Sequence, residues 1–352
     1  MSVHLISATD AMARYDQFDA VIDARSEGEY AEDHLPAAIN WPSLNNEERI
    51  QVGTLYKQVS PFEAQKIGAA LVAANISRHI LAHVLDKPKN WQPLVYCWRG
   101  GKRSNSLALI LGQIGFKVHL IEGGYKAFRK AVVDDTPARL QPLQFRVLCG
   151  PTGSGKTRLL QALAAQGAQV LDLEAIASHR ASVLGVIPGQ PQPTQKAFET
   201  QVWDRLRRFD PARPVFVEAE SKKVGNLTVP ASLIEAMRAS PCVRLELPLA
   251  ARVQLLMEDY DYFVRDPAFF GERLDRLADL KGRALINDWK QRAQAGQTAE
   301  VVAELLERHY DPGYESSTSR NFRQYAQAEP LVLAGPDKQA MADGAAQLLR
   351  SA

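Results

Sequence analysis

Val95-Tyr96-Cys97-Trp98-Arg99-Gly100-Gly101-Lys102-Arg103-Ser104 compresses three kinds of segment into one short stretch. Val95 and Tyr96 end an apolar run, Cys97 follows at once, and glycines and cations lead to a helical pattern through Leu107, Leu111 and Ile114. The expected structure is therefore a strand, a tight loop and a helix. Such a loop turns backbone N–H groups and a helix N-terminus toward whatever lies over the sulfur, where negative charge is stabilised. Arg99, Lys102 and Arg103 add full positive charges, which favours Cys97 as a thiolate nucleophile. A structural cysteine is more often packed among apolar residues than among glycine and arginine. The candidate catalytic set is therefore Cys97, Arg99, Lys102 and Arg103.

Working outward, Ala20–Asp23 reads as a short buried parallel-type strand, Gln92–Tyr96 as the strand delivering Cys97, and Phe116–Ile121 as another. Pro61–Ala74 places Phe62, Ile67, Ala70, Leu71 and Ala74 at helical spacing. The segment from Asp23-Ala-Arg through Glu29-Tyr30 and His34-Leu-Pro-Ala-Ala to Ile39-Asn40 resembles the rhodanese signature, with Ala37 where that family has glycine. The resemblance implies that Asp23 and Arg25 form a buried bracing pair, and that Glu122-Gly-Gly-Tyr-Lys-Ala-Phe-Arg129 closes the domain. Cys97 and Arg103 stand in the spacing Cys-x5-Arg-Ser, one residue longer than in thiosulfate rhodaneses, so the cradle should accept a larger anion or chalcogen. Cysteine-dependent phosphatases share that spacing. From the loop alone, phosphatase and sulfur or selenium transferase both remain open, since each needs a thiolate, N–H donors and an arginine.

Pro137 and Pro142 among polar residues mark a linker over 136–143, separating a domain at 1–135 from one at 144–352. Phe145–Cys149 reads as a strand, and Gly150-Pro-Thr-Gly-Ser-Gly-Lys-Thr157 matches Gly-x4-Gly-Lys-Thr before a helical run of Leu159, Leu160 and Leu163. Gly150, Gly153, Ser154 and Gly155 would wrap backbone N–H groups around a phosphate, with Lys156 neutralising it and Thr157 able to hold magnesium. Strands are expected at Val170–Leu173, Pro214–Val217, Val243–Leu247 and Leu331–Leu333. Pro188–Gln195 is a polar loop suited to a lid or a connector. Glu218 or Glu220 either reaches a magnesium ion through water or caps the next segment. The stretch after Pro248, through Arg252 and Asp259-Tyr-Asp261, resembles small P-loop kinases. Basic groups at Arg205, Arg207, Arg208, Lys222, Lys223, Arg273, Arg276, Lys281 and Arg283 read as solvated faces unless they line up with the Cys97 loop as a track for tRNA phosphates.

Composition narrows the class. At 352 residues, with 46% hydrophobic and 23% charged, the chain has room for two folded cores. A formal net charge of +2 supplies no global field for a polyanion. The three cysteines, Cys97, Cys149 and Cys242, have neither disulfide-framework nor zinc spacing, which suits a reducing cytoplasm. No apolar run approaches the roughly 20 residues of a membrane span, and Met1–Asp10 lacks a secretory pattern.

The order of the two motifs, Cys-Trp-Arg-Gly-Gly-Lys-Arg-Ser and then Gly-Pro-Thr-Gly-Ser-Gly-Lys-Thr, resembles the bacterial tRNA 2-selenouridine synthase family over nearly the whole chain. The implied fold is α/β, a rhodanese-like domain followed by a P-loop NTPase-like domain with a mostly parallel sheet. The implied activity is a transferase acting on the wobble uridine of tRNAs for Lys, Glu and Gln. The sulfur of 2-thiouridine is geranylated from geranyl diphosphate held at Gly150–Thr157, then replaced by selenium from selenophosphate through an S-selanyl adduct on Cys97. No tightly bound cofactor is implied, magnesium is an optional addition, and a supplier of selenophosphate is a partner. The rival readings are a rhodanese-fold phosphatase or sulfurtransferase fused to an ATP-dependent kinase-like domain, and a tRNA-binding module without chemistry.

Overall fold

Short strands that are apolar on both faces need cover on both sides, which a parallel sheet between helices provides. The structure, a computed structural model describing residues 3–180, 182 and 184–351, builds two such sheets. Met1, Ser2 and Ala352, at the ends of the two expected domains, lie outside the described residues. The chain divides into two compact units: residues to Thr136 together with Pro193–Asp204, and Pro137–Gln192 together with Arg205–Ala352.

The first unit holds β1 (Val3–Ile6), β2 (Ala20–Asp23), β3 (Ile39–Asn40), β4 (Pro93–Tyr96) and β5 (Val118–Ile121), all parallel, in the order β1-β5-β4-β2-β3. Central β4 is buried along its whole length, and its carboxyl end releases the chain into the Cys97 loop and the helix Lys102–Ile114. In register beside it, Asp23 of β2 lies opposite Tyr96. Asp23 and Arg25 are indeed a buried pair: Nη2 of Arg25 is 2.6 Å from Asp23 Oδ2 and donates to the Asp33 carbonyl at 2.6 Å. Tyr96 adds its hydroxyl to Asp23 at 2.7 Å. Removing one member of such a pair strands a buried charge, a cost of about 3–5 kcal/mol.

Two expectations about the joint between domains need correction. The helix Gly124–Leu140 runs through Pro137, so residues 136–140 of the expected linker are regular helix and only a short turn precedes the next strand. The segment Pro193–Asp204, assigned by sequence to the second domain, belongs to the first unit. Its anchor is Trp203, fully buried edge-on to Tyr15 and Phe128, with its indole N–H donated to Asp135 at 2.9 Å. Thr200 donates to Asp33 at 3.0 Å, and Glu199 pairs with Arg129. A large aromatic finds its apolar cover wherever tertiary packing supplies it, and local periodicity does not say where.

In the second unit β6 (Phe145–Cys149), β7 (Gln169–Leu171), β8 (Val215–Glu218), β11 (Cys242–Glu246) and β12 (Glu329–Val332) form a parallel sheet in the order β12-β11-β6-β8-β7. A small antiparallel hairpin, β9 (Lys223–Val224) and β10 (Leu227–Thr228), stands apart. The expected strands are all present, with ends moved by one or two residues. Helices between Leu249 and Asn321 pack around Phe263, Phe270, Leu274 and Trp289 as a separate apolar cluster. Among the described residues, no helix is long and apolar enough to cross a membrane.

His119 on β5 is buried with Nε2 unpartnered, between the rings of His4 and Phe18, and burial pushes its pKa down to about 4. In the unfolded chain a histidine titrates near ~6.5, so the unfolded state takes up the proton first as pH falls. Stability is therefore expected to fall between about pH 6.5 and 4 and to lose part of that slope in His119→Leu. Urea midpoints measured across this window test it; identical slopes for both proteins would refute it.

Candidate functional site

At the end of β4 the Cys97 side chain is buried, and its sulfur accepts from the Gly101 N–H at 3.2 Å and from the Ser104 hydroxyl at 3.0 Å. Both donors belong to the turn that starts the helix Lys102–Ile114, where N–H groups have no partner within the helix. Arg103 points to Glu29, Nη1 to Oε2 at 2.6 Å, and Arg49 reaches the same carboxylate at 3.2 Å. Although burial opposes it, Arg103 holds the Glu29 carboxyl below its ordinary pKa. Arg99 and Lys102 are exposed. The expected catalytic set is thus divided: Cys97 sits inside, Arg103 is oriented by a carboxylate, and two cations remain for a ligand.

Trp98, next to the sulfur, is half-buried and stacked on Tyr125 with centroids 5.4 Å apart. Tyr125 in turn donates its N–H to the Cys97 carbonyl at 2.8 Å and its hydroxyl to Asp33 at 2.8 Å, under the Arg25 guanidinium 4.0 Å from its ring centre. The bracing pair and the loop are therefore mechanically one object.

In the second unit, β6 passes into Gly150–Gly155 and the helix Lys156–Ala165. Gly155 caps that helix at φ 87°, a conformation glycine adopts without a Cβ penalty. Lys156 Nζ folds onto the carbonyls of Gly150 at 2.7 Å and Pro151 at 3.4 Å. Buried Ser154 has its hydroxyl unpartnered. Thr157 donates to Glu174 at 3.0 Å, with Glu218 at 3.4 Å. Glu218 and Glu220 are buried, and oxygens of Glu174, Glu218 and Glu220 lie within 4.8 Å of one another. Burial first, then the charges of neighbouring carboxylates, drives the pKa of Glu218 and Glu220 well up. Glu218 accepts the backbone N–H of Glu174 at 3.2 Å. A hard divalent cation beside Thr157 suits this donor set, since it would offset the mutual repulsion.

Ser154, Lys156, Thr157, Glu174 and Glu220 line a cavity of about 690 Å³. Its polar wall includes Arg180, Arg238 and Tyr314, and Tyr314 accepts the Gly150 N–H at 2.6 Å. Arg252, almost fully buried, donates to the Thr152 carbonyl at 2.7 and 3.0 Å and pairs with Asp311 at 2.6 Å, fastening the loop to the helix Asp311–Asn321. A narrow apolar cavity, lined by Leu256, Phe263, Phe270, Val302 and Leu306, shares Thr152, Leu256, Tyr260 and Tyr310 with the larger one. Of the basic clusters, Lys222 and Lys223 are exposed beside the hairpin, while Lys281 is tied to the Arg308 carbonyl.

Comparison with known proteins follows the same division. Residues 7–131 match the model of the rhodanese-like domain, and residues 143–267 that of the tRNA 2-selenouridine synthase AAA domain. The tRNA 2-selenouridine synthase of Marinobacter nauticus is 30% identical over 347 residues, 90% of this chain and 92% of that one. That of Alcanivorax borkumensis is 33% identical over 329 residues, covering 85% and 90%. That of Nitrosomonas europaea is 36% identical over 259 residues, covering 72% and 67%.

Asp311 and Tyr314 carry no motif signal, and Glu29, Tyr125 and Arg252, although they stand inside recognisable motifs, act through contacts that only folding creates. Gly124 had a signal, the Gly-Gly pair, but its task was not legible. At φ 56°, a Cβ there would lie 2.2 Å from the Cys97 carbonyl oxygen and 2.6 Å from the Gly100 nitrogen. Gly124→Ala is therefore expected to push the Cys97 loop aside, lower stability by ~1–3 kcal/mol and change the alkylation rate of Cys97. Urea denaturation and timed iodoacetamide labelling of Cys97 read both; unchanged values in both would dismiss the clamp.

Proposed function

The chain belongs to the tRNA 2-selenouridine synthase family, and from that premise we propose that it is a transferase replacing the sulfur of wobble 2-thiouridine in tRNA with selenium, by way of an S-geranyl intermediate. The observation that carries the two-step reading is that a small apolar cavity of about 40 Å³ adjoins the P-loop cavity, the two sharing Thr152, Leu256, Tyr260 and Tyr310 as lining. A phosphate cradle beside an apolar cavity suits an isoprenyl diphosphate, whose head is anionic and whose tail would widen that cavity to gain apolar cover.

In the first step the base sulfur attacks the carbon bearing the diphosphate, the S–C bond forms, the C–O bond breaks and diphosphate leaves. The loop N–H groups of Gly153 to Thr157 receive the departing charge, and Lys156 exchanges its two carbonyl partners for a phosphate oxygen. Magnesium, where present, would be held by Thr157 with Glu174, Glu218 and Glu220 and would supply charge neutralisation to the diphosphate. Alkylation turns a poor leaving group into a good one.

The second step belongs to the Cys97 loop. Selenium from selenophosphate displaces the S-geranyl group at C2 of the base, with Cys97 as nucleophile and Arg99, Lys102 and Arg103 holding the phosphate. The substrates are tRNAs for Lys, Glu and Gln, the base being turned out of the anticodon stack so that it can reach a buried sulfur. Trp98 offers it a stacking surface. A selenophosphate-supplying enzyme is the corresponding partner, and the cytoplasm the compartment.

Incubation with 2-thiouridine tRNA, geranyl diphosphate and selenophosphate, followed by mass spectrometry of the nucleosides, tests the reading. Lys156→Ala is expected to lose geranylation by at least about a hundredfold, the scale of removing one preorganised charge donor. Cys97→Ser is expected to carry out geranylation and to form no free 2-selenouridine. Normal selenium incorporation by Cys97→Ser would overturn the assignment of the second step.

A further inference from the structure

We propose that Cys97 accepts the phosphoryl group of the selenium donor, not its selenium. The inference rests on the reading above, that selenophosphate is consumed at this loop, and it replaces the S-selanyl adduct that the family resemblance implies.

Electron counting makes the first case. Selenium in selenophosphate is already fully reduced. Joining it to a thiolate as an S–Se bond, with phosphate as the product, removes two electrons, and neither the loop nor the reaction supplies an acceptor for them. Cys149 and Cys242 are buried in the sheet of the other unit, on β6 and β11, and the Cys97 loop itself contains no second thiol. Phosphoryl transfer needs no oxidant. Selenium of selenophosphate attacks C2 of the S-geranylated base, the C–Se bond forms, and the C–S bond breaks with geranylthiolate leaving. The Cys97 thiolate then attacks phosphorus: S–P forms, Se–P breaks, and the electron pair stays on selenium as the selenolate form of 2-selenouridine. Water finally attacks phosphorus, P–S breaks, the pair returns to Cys97, and inorganic phosphate departs with the proton of the water shared with solvent. No atom changes oxidation state.

Geometry makes the second case. Arg103 lies six residues after Cys97, and the Ser104 hydroxyl donates to the sulfur at 3.0 Å while the Gly101 N–H does so at 3.2 Å. Two donors on one sulfur stabilise it when it must leave, which is the demand made by P–S cleavage. Arg103, braced by Glu29, together with the helix start at Lys102, suits the three oxygens of a tetrahedral phosphoryl group. The departing selenolate is delocalised over the base and needs no protonated acid beside it.

The test uses the full-length protein, S-geranyl-2-thiouridine tRNA and selenophosphate labelled with radioactive phosphorus, quenched in denaturant. Protein-bound phosphorus and protein-bound selenium are both counted, and the peptide containing Cys97 is isolated. Wild type is expected to show a transient phosphorus label on Cys97 without selenium. Ser104→Ala is expected to hold more of it, with hydrolysis slowed roughly tenfold to a hundredfold as one donor to the leaving sulfur is lost. Cys97→Ser should carry neither label. Selenium on Cys97, or absence of phosphorus from both wild type and Ser104→Ala while wild type still forms 2-selenouridine, overturns the proposal. If wild type forms no 2-selenouridine, it is the reading of the reaction that fails, and this inference falls with it.

Discussion

The first N–H groups of every helix lack partners inside the helix, and both sites of this protein are built on that one constraint. A parallel strand ends, the chain turns tightly through glycine, and a helix begins with its open donors facing the carboxyl edge of the sheet. At the start of the helix Lys102–Ile114 one of those donors, the Gly101 N–H, meets a cysteine sulfur; at the start of the helix Lys156–Ala165 they belong to a loop shaped for phosphate. The same backbone physics thus serves two chemistries, and what distinguishes them is the side chain at the strand end: Cys97 after β4, Gly150 after β6.

Each cradle is then stiffened differently. Around Cys97, the bracing pair Asp23–Arg25 reaches through Tyr125 to the loop carbonyl, and Gly124 permits a backbone approach that any side chain would block. Around Lys156, stiffness comes from charge: Arg252 ties the loop carbonyl of Thr152 to Asp311, and three carboxylates crowd Thr157. Carboxylates so buried are costly unless a cation, a proton or a hydrogen-bond donor compensates them, so this corner stores the electrostatic tension that a charged ligand relieves.

The segment Pro193–Asp204 gives the connection between the units a physical form. It lies in sequence between Glu174 and Glu218, both beside Thr157, yet its Trp203 and Thr200 are anchored in the core of the first unit. The chain therefore passes from one unit to the other at either end of this segment as well as within the helix Gly124–Leu140.

Sequence by itself determined the strands other than β1, β3 and the β9–β10 hairpin, the two strand-loop-helix turns, the Cys-x5-Arg-Ser spacing and the phosphate loop, because each depends on neighbours within a few residues and on periodicities that side-chain burial imposes directly. It also carried the family likeness, since the two motifs occur in a fixed order. Tertiary structure alone decided that Arg103 answers to Glu29, that Tyr314 and Arg252 hold the P-loop, that Gly124 presses on Cys97, and that Trp203 serves the first unit. Those relations join residues far apart in the chain, and burial and charge compensation are satisfied by whichever partner the fold brings near, a choice no local pattern encodes.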